Sequence, residues 1–143
     1  MNCEPTICPA IIFSDLVIRE EGSGKLSIIG SFQNFLAAKF PLVAPPFYVT
    51  VAFGNLRGKV GELKLTVRIE DPASGHIVTS AMVQITFSSE PHHLESFEIP
   101  IGLPSCQFPS AGGYNVVFLI NNEVVGTRTL NVRSLTAQPK GVL

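Results

Sequence analysis

The sequence predicts an all-β protein: an antiparallel β-sandwich of about eight strands, immunoglobulin-like in general architecture. Three observations support this prediction. Apolar–polar alternations recur at roughly 8–15-residue spacing, turn residues separate them, and no segment has the periodicity of a long helix. The most regular unit is the hairpin at 111–132, in which Asn121-Asn122 joins two apolar runs. Asparagine tolerates the positive φ of a tight hairpin turn, so this pair predicts the turn itself.

A first hairpin is predicted near the N-terminus. The run at 11–19 is apolar in both alternation classes, which indicates a strand covered on both faces. A glycine-rich turn at 21–24 separates it from a cleanly alternating run at 25–32. Residues 1–10, which contain prolines and cysteines, are interpreted as an N-terminal arm that leads into the domain.

The middle of the chain begins with an irregular segment, 33–46, which contains three prolines. Proline interrupts helices and central strands, so we interpret this segment as a connection that crosses between two sheets, with room for one helical turn at 35–38. Strands are then predicted at 47–53 and 62–70, and the second shows the plainest alternation in the chain. Its inward set is Leu63, Leu65, Val67 and Ile69.

Two further strands, at 76–87 and 95–101, are predicted before the closing hairpin. A turn at 71–75 precedes the first of them, because its proline fixes φ and its glycine supplies a conformation that other residues avoid. A proline- and glycine-rich bridge at 102–113 leads into the hairpin. Residues 134–143 are interpreted as a C-terminal tail.

Length and composition indicate a single sandwich domain over residues 11–133. The chain has 143 residues, of which 45% are apolar and only 15% are charged. Typical soluble domains are roughly 25% charged, and the mean hydropathy here is +0.34. Such a chain either buries both faces of some strands or keeps an apolar surface for a partner, and we expect both.

Net charge and the character of the N-terminus limit which partners and which cellular compartment we expect. The net charge is −1 and no Lys or Arg run forms a basic patch, so nucleic acid is not an expected partner. The N-terminus lacks the positive segment of a secretory signal, and the longest apolar run, 40–53, is too short to cross a membrane. Three cysteines leave at least one unpaired, which fits a reducing compartment, so we expect a soluble cytoplasmic protein.

The segment at 21–25 has the composition of the end of a phosphate-binding loop. That motif requires a glycine five residues before Gly24 and a Ser or Thr after Lys25. The chain has Arg19 and Leu26 at those places, and a strand follows in place of a helix. We therefore interpret the segment as a hairpin turn.

A zinc site is a second possibility that the sequence does not favour. Structural zinc requires four nitrogen or sulfur ligands, usually in closely spaced pairs. The adjacent histidines would point to opposite faces of a strand, so they make a poor pair. The candidate ligands are Cys3, Cys8, Cys106, His92 and His93.

Calcium binding and nucleophilic catalysis are not expected either. The two aspartates, Asp15 and Asp71, are far apart in sequence, whereas calcium requires several converging carboxylates. Cys106 is the only cysteine near enough in sequence to His92 or His93 to suggest a catalytic pair, and no third group orients it. We therefore assign no catalytic, cofactor-binding or metal-ligating residue and expect no cofactor.

Several turn and strand motifs resemble those of an uncharacterised bacterial family of small single-domain proteins, a domain of unknown function. The similarity covers most of residues 9–133, and it implies an all-β fold and a bacterial or phage-like origin. It implies no catalytic or ligand-binding residues. The motifs are Pro-Ala-Ile-Ile-Phe-Ser-Asp at 9–15, Glu-Glu-Gly-Ser-Gly-Lys-Leu-Ser-Ile-Ile-Gly at 20–30, Phe-Pro at 40–41, Pro-Pro-Phe at 45–47, Ile-Glu-Asp-Pro at 69–72 and Gly-Tyr at 113–114.

Two functions from different classes follow from these patterns. The first is a non-enzymatic interaction or assembly module whose partner is another copy of the chain or another protein; low charge and strands apolar on both faces, at 11–18 and 116–120, favour it. The alternative is a small-ligand module, for a sugar or a lipid, that uses the loops at 54–61 and 102–113. A Cys106-dependent enzyme is a third hypothesis.

Overall fold

The computed structural model describes residues 6–56, 61–89, 91–92 and 94–135, without the side chains of Ile7 and Pro9. This part of the chain forms β-strands and no α-helix, which confirms the predicted all-β class. The strands are β1 (Ile7–Arg19), β2 (Leu26–Phe32), β3 (Asn34–Ala37), β4 (Leu42–Ala44), β5 (Phe47–Gly54), β6 (Gly61–Glu70), β7 (Ile77–Phe87), β8 (Ser96–Leu103), β9 (Cys106–Phe108), β10 (Gly112–Ile120) and β11 (Glu123–Ser134).

The strands form two large sheets and one small one. Sheet A has the order β2-β1-β5-β8, sheet B has the order β3-β11-β10-β6-β7, and β4 pairs with β9. Neighbouring strands are antiparallel, except that β3 runs parallel to β11. The inner faces of sheets A and B enclose the core, so the predicted sandwich is present.

Aromatic and branched side chains fill the space between the two sheets. Phe53 on β5 meets Phe118 on β10 with ring centroids 5.4 Å apart, which joins the centres of the two sheets. Phe35 on β3 meets Phe47 on β5 at 5.4 Å and closes one side. The inward set predicted on β6 is confirmed, because Leu63, Leu65, Val67 and Ile69 are all at most 1% exposed.

The interpretation of residues 33–46 as an irregular connection was wrong in part. The segment does cross from sheet A to sheet B, but it contains β3 and β4, and no helical turn forms at 35–38. As the chain reaches the edge of sheet B it runs alongside β11, where residues 34–37 pair with residues 131–134. Pairing satisfies backbone groups that an irregular segment would leave unbonded beside the core.

Other strand limits also differ from the prediction. Strand β1 begins at Ile7, within the segment interpreted as an arm, and β11 ends at Ser134, the first residue of the predicted tail. The bridge at 102–113 contains β9, whose Cys106 and Phe108 side chains join the core. Of the predicted loop at 54–61, residues 57–60 lie outside the described residues.

The predicted turn of the closing hairpin is confirmed. Asn121 and Asn122 have φ values of 49° and 70°, in the left-handed region that asparagine tolerates. Asn121 also binds the neighbouring strand twice: its backbone N–H donates to the Lys64 carbonyl, and its Oδ1 accepts from the Lys64 N–H, both at 2.9 Å. The turn residue therefore joins β10 and β11 to β6.

Tyr114, which follows two glycines at the start of β10, forms a tyrosine corner of the kind found in immunoglobulin-like sandwiches. Its side chain is 2% exposed, and its hydroxyl donates to the Ser110 carbonyl at 2.7 Å. The ring contacts Phe108 at a centroid distance of 4.9 Å. The hydroxyl therefore fixes the loop that leads from β9 into β10.

Replacing Tyr114 with Phe is expected to lower the free energy of unfolding by about 1–2 kcal/mol, because the Ser110 carbonyl loses its donor while the ring stays in place. Urea denaturation of both proteins measures the change, and the denaturant dependence should be equal in the two. Tyr48→Phe, which alters the other tyrosine, is the matched control. Equal stability of Tyr114→Phe and the native protein would contradict a structural role for this hydroxyl.

Candidate functional site: the outer face of the four-stranded sheet

The outer face of sheet A carries exposed apolar side chains. Leu16 and Ile29 lie directly opposite each other on β1 and β2, and each is 44% exposed. Ile18, two residues along β1 on the same face, is 46% exposed. We call this surface the apolar outer face; it comprises Ile12, Leu16, Ile18, Ile29, Tyr48, Thr50 and Pro100.

Part of this face lies on a two-stranded extension of the sheet. Strand β5 pairs with β1 only as far as Ser14 opposite Tyr48, whereas β1 and β2 continue to Arg19 opposite Leu26. We call residues 16–29 the hairpin arm. One of its faces carries the exposed set described above. The other carries Val17 and Ile28, which are half-buried, and Arg19, which is exposed near the tip of the arm.

The prediction that the run at 11–19 is covered on both faces is therefore wrong for the part that lies in the hairpin arm. Ile11 and Phe13 are buried in the core, but Leu16 and Ile18 face outward and are 44% and 46% exposed, so nothing among the described residues covers them. The strand at 116–120, also apolar on both faces, differs: Val117 and Leu119 on its outer face are each only 5% exposed. An isolated two-stranded ribbon is marginally stable in water, so the arm gains from any surface that covers it.

In the four-stranded part of the apolar outer face, the ring of Tyr48 lies beside the small residue Gly102. A Cβ atom at Gly102 would lie 3.4 Å from Cε1 of Tyr48, so the tyrosine ring lies over that glycine. Thr50 is 1% exposed, and its hydroxyl has no hydrogen-bond partner in the structure. A buried hydroxyl without a partner is costly, so this part of the face contains an unused polar group beneath an apolar surface.

The outer surfaces of the two large sheets differ in the number of charged side chains they carry. On sheet A, the outward positions of the described strands contain a single charged residue, Glu98. On sheet B, strand β6 alone directs four charged side chains outward, and two of them, Arg68 and Glu70, form an ion pair at 3.0 Å. The outward charges of β6 are Glu62, Lys64, Arg68 and Glu70.

The Cys/His combination considered in the sequence has Cys106 on β9 and His92 in the segment between β7 and β8. Cys106 is buried on β9, and desolvation raises the pKa of its thiol above the usual value, which disfavours the reactive thiolate. His92 is exposed, and its Nδ1 accepts a hydrogen bond from the Leu94 N–H at 3.1 Å. His93 lies outside the described residues.

A second feature, absent from the sequence predictions, is an open cleft of about 410 Å³ between β1 and β11. Arg128 projects into this side of the sandwich with its guanidinium 4.6 Å from the centroid of the Phe13 ring, and it donates a hydrogen bond to the Ile11 carbonyl. Burial raises the pKa of the Cys8 thiol at the same place. The cleft is lined by Cys8, Ala10, Ile11, Ile12, Thr127 and Arg128.

Arg128 closes a gap that the sheet leaves open. Strand β2 ends at Phe32 opposite Phe13, so β1 has no strand on that side at Ile11. The arginine donates to the carbonyl exposed there and covers Phe13, two interactions that join β11 to β1. The inward position of Arg128 could have been inferred from the sequence, because Arg128 is in phase with Leu130 and Val132, which face the core on the same strand.

Within the described ranges, no helix is long and apolar enough to span a lipid bilayer. The same ranges contain no group of three or more His, Cys, Asp and Glu side chains that could hold a metal ion. Asp71, one of the two aspartates considered above, instead caps its turn: its Oδ1 accepts from the Ala73 N–H at 3.0 Å.

Comparisons with known proteins give a family and supply no activity. The model of a family described as a family of unknown function, DUF6941, matches residues 9–133. A search of curated proteins found no match. Among solved structures, a β-glucuronidase from glycoside hydrolase family 2 is similar, with a TM-score of 0.43 and 18% identity over 63% of this chain. The chain corresponds to 10% of the length of that enzyme.

Proposed function

Because the chain belongs to the family of unknown function DUF6941, its role has to be inferred from its own surface, and we propose that it is a non-enzymatic assembly module that self-associates. The partner we commit to is a second copy of the chain. The contact surface is the apolar outer face together with the hairpin arm. A bacterial origin and a cytoplasmic location remain predictions from the sequence.

One observation carries this proposal: the exposed apolar residues of sheet A are neighbours on one face, whereas its charges are almost absent. Leu16, Ile18 and Ile29 are each more than two-fifths exposed and lie side by side. Monomeric proteins rarely keep contiguous apolar surface of this kind on a flat sheet, unless it contacts another molecule. A copy of the same face is suitable because Glu98 is the only charged residue at its outward strand positions among the described residues, and the charges of the hairpin arm, at 19–21 and 25, lie at the tip of the arm.

The size of the face suits a two-fold interface. Four strands spaced about 4.8 Å apart, with the hairpin arm added, present a projected area of roughly 600 Å². Stable interfaces bury about 800 Å² of accessible surface per partner, and side-chain relief makes the accessible area larger than the projected one. Two such faces would stack as sheets do in a sandwich, about 10 Å apart.

Replacing Leu16 with Lys is expected to weaken self-association at least about tenfold, because it places a charge among the exposed apolar side chains of the proposed contact. Leu16 is exposed in the single chain, so the free energy of unfolding should change by less than about 0.5 kcal/mol. Size-exclusion chromatography with light scattering over a wide concentration range measures the mass relative to 15.4 kDa.

Asn131→Lys is the matched control, since it adds the same charge at an exposed outward position of β11 on sheet B. It should leave the mass unchanged. If Leu16→Lys and Asn131→Lys behave alike, the apolar outer face is not the interface. A native protein that stays at 15.4 kDa at every concentration would end the self-association proposal.

The alternative, a sugar- or lipid-binding module at the loops 54–61 and 102–113, receives less support from the geometry. Residues 106–108 of the second loop form β9, whose Cys106 and Phe108 side chains point into the core. The open cleft lies elsewhere, beside Arg128. A thermal-shift series with neutral sugars and fatty acids tests the alternative, which predicts stabilisation that increases with ligand concentration.

A further inference from the structure

Strand β7 is an edge strand that lacks the features by which proteins protect their edges. An exposed edge is normally shortened, charged, interrupted by proline or covered. The other three edges of the two large sheets each have such a feature. On sheet A, β8 contains Glu98 and Pro100, and β2 is interrupted by Gly30 at a φ of 69°; on sheet B, β3 is only four residues long.

Strand β7 is long, uncharged and free of proline. It spans 11 residues, Ile77–Phe87, and within the described residues it pairs with β6 on one side and with no strand on the other. Its register irregularity lies at its N-terminal end, beside Ile77, so the stretch from 79 to 87 is regular. This stretch offers a continuous row of unpaired backbone groups.

The side chains of β7 alternate in the way an added strand would require. Those that face the core are only partly buried, as are Phe97 and Ile99 on the adjacent edge of sheet A, and Phe87 meets Phe97 with ring centroids 5.2 Å apart. Those that face outward are polar or flexible: Ser80, Met82, Gln84 and Thr86. A strand added here would place its own apolar set over the partly buried residues.

We propose that β7 pairs antiparallel with β7 of a second copy, about a two-fold axis at Met82, so that sheet B continues across two chains. The sequence of β7 is compatible with itself in this register. Ala81 would face Val83 of the second copy and Thr79 would face Ile85, which keeps inward residues together. On the outer face, Ser80 would face Gln84 and no charges would oppose each other.

This interface is separate from the apolar outer face, since it lies on the other sheet, and it goes beyond the function proposed above. A chain with two different two-fold interfaces builds assemblies larger than a dimer: a closed tetramer or an open chain of copies. Loss of one interface should leave the dimer made by the other. The two proposals therefore fail in different experiments.

The register is tested by disulfide cross-linking of the full chain, with Cys3 and Cys8 replaced by Ser to reduce background. Met82→Cys should form a covalent dimer on mild oxidation, because residues directly opposite in antiparallel strands have Cα atoms about 4.5–5.5 Å apart, within disulfide range. Thr86→Cys is the control: two copies of it would lie about 27 Å apart in this register. We expect at least about tenfold more cross-linked product from Met82→Cys; equal yields would overturn the register.

Charge pairs provide a second test that does not depend on cysteine chemistry. Ser80→Glu with Gln84→Glu places like charges opposite each other across the two-fold axis, while Arg68 and Lys64 face these positions within the chain and support the fold. Ser80→Lys with Gln84→Glu places opposite charges across the axis. The first pair should lose the β7 interface, and the second should keep it.

The solution masses of these variants distinguish the two proposed interfaces. Leu16→Lys alone should remain a dimer through β7, and adding Ser80→Glu with Gln84→Glu should reduce it to 15.4 kDa. If Leu16→Lys alone is already a monomer, the β7 interface is overturned while the apolar outer face stands. If Ser80→Glu with Gln84→Glu has the same mass as the native protein, the β7 interface is likewise overturned.

Discussion

Phe118→Ala is expected to lower the free energy of unfolding by about 3–5 kcal/mol, the cost of removing a large side chain from a closely packed core. Phe118 is fully buried on β10, the central strand of sheet B, between β6 and β11. Its ring contacts Phe53 of sheet A, so the alanine would leave a cavity where the two sheets meet. Urea denaturation followed by fluorescence or circular dichroism measures the loss.

Two variants make this result interpretable. Val124→Ala, on the same hairpin but 61% exposed, should change the free energy of unfolding by less than about 0.5 kcal/mol. Phe118→Leu keeps most of the volume and should cost clearly less than the alanine, so it remains measurable if Phe118→Ala does not fold. A loss below about 1 kcal/mol for Phe118→Ala would contradict a core that is closed at this position.

Arg128→Ala is expected to lower the free energy of unfolding by about 2–3 kcal/mol, through three separate losses. The Ile11 carbonyl loses its donor, the Phe13 ring loses the cation over its face, and the aliphatic stem leaves the gap between β1 and β11. Arg128→Lys keeps the charge without the planar group, so its free energy of unfolding should lie between those of the native protein and Arg128→Ala. Thermal and urea unfolding at two salt concentrations measure all three proteins.

A double-mutant cycle identifies the part that comes from the ring contact. Phe13→Leu, measured with and without Arg128→Ala, should give a coupling energy of about 0.5–2 kcal/mol. Additive losses would mean that the arginine acts through its hydrogen bond and stem alone. No loss of stability in Arg128→Ala would mean that the residue does not close this side of the sandwich, and the cleft beside it would then be the first place to search for a ligand.

The sequence predicts the fold class because strand alternation and turn chemistry are local. On β6, Leu63 and Val67 could be assigned to the core from their spacing alone, and Asn121 could be assigned to a turn from its tolerance of positive φ. The pairing of β3 with β11 could not be predicted in this way. Residues 34–37 have no strand-like alternation and become a strand because β11 lies beside them.

The candidate site was predicted less completely than the fold, for a related reason. Alternation shows that Leu16 and Ile18 share a face, but whether a second layer covers that face depends on the tertiary packing, which alternation does not contain. Likewise, the unprotected state of β7 depends on sheet order, which places it at an edge. Arg128 could have been noticed as a charge in phase with Leu130, yet its contacts with Phe13 and Ile11 arise from a different sheet.

The parallel pairing of β3 with β11 has a consequence for biosynthesis. Residues 34–37 leave the ribosome early, but their partners at 131–134 are made almost a hundred positions later. At 5–20 residues per second, β3 waits roughly 5–20 s for the strand that completes its sheet. During that time Phe35 lacks the neighbouring strand that holds it in the sheet, so this apolar segment can bind chaperones until β11 emerges.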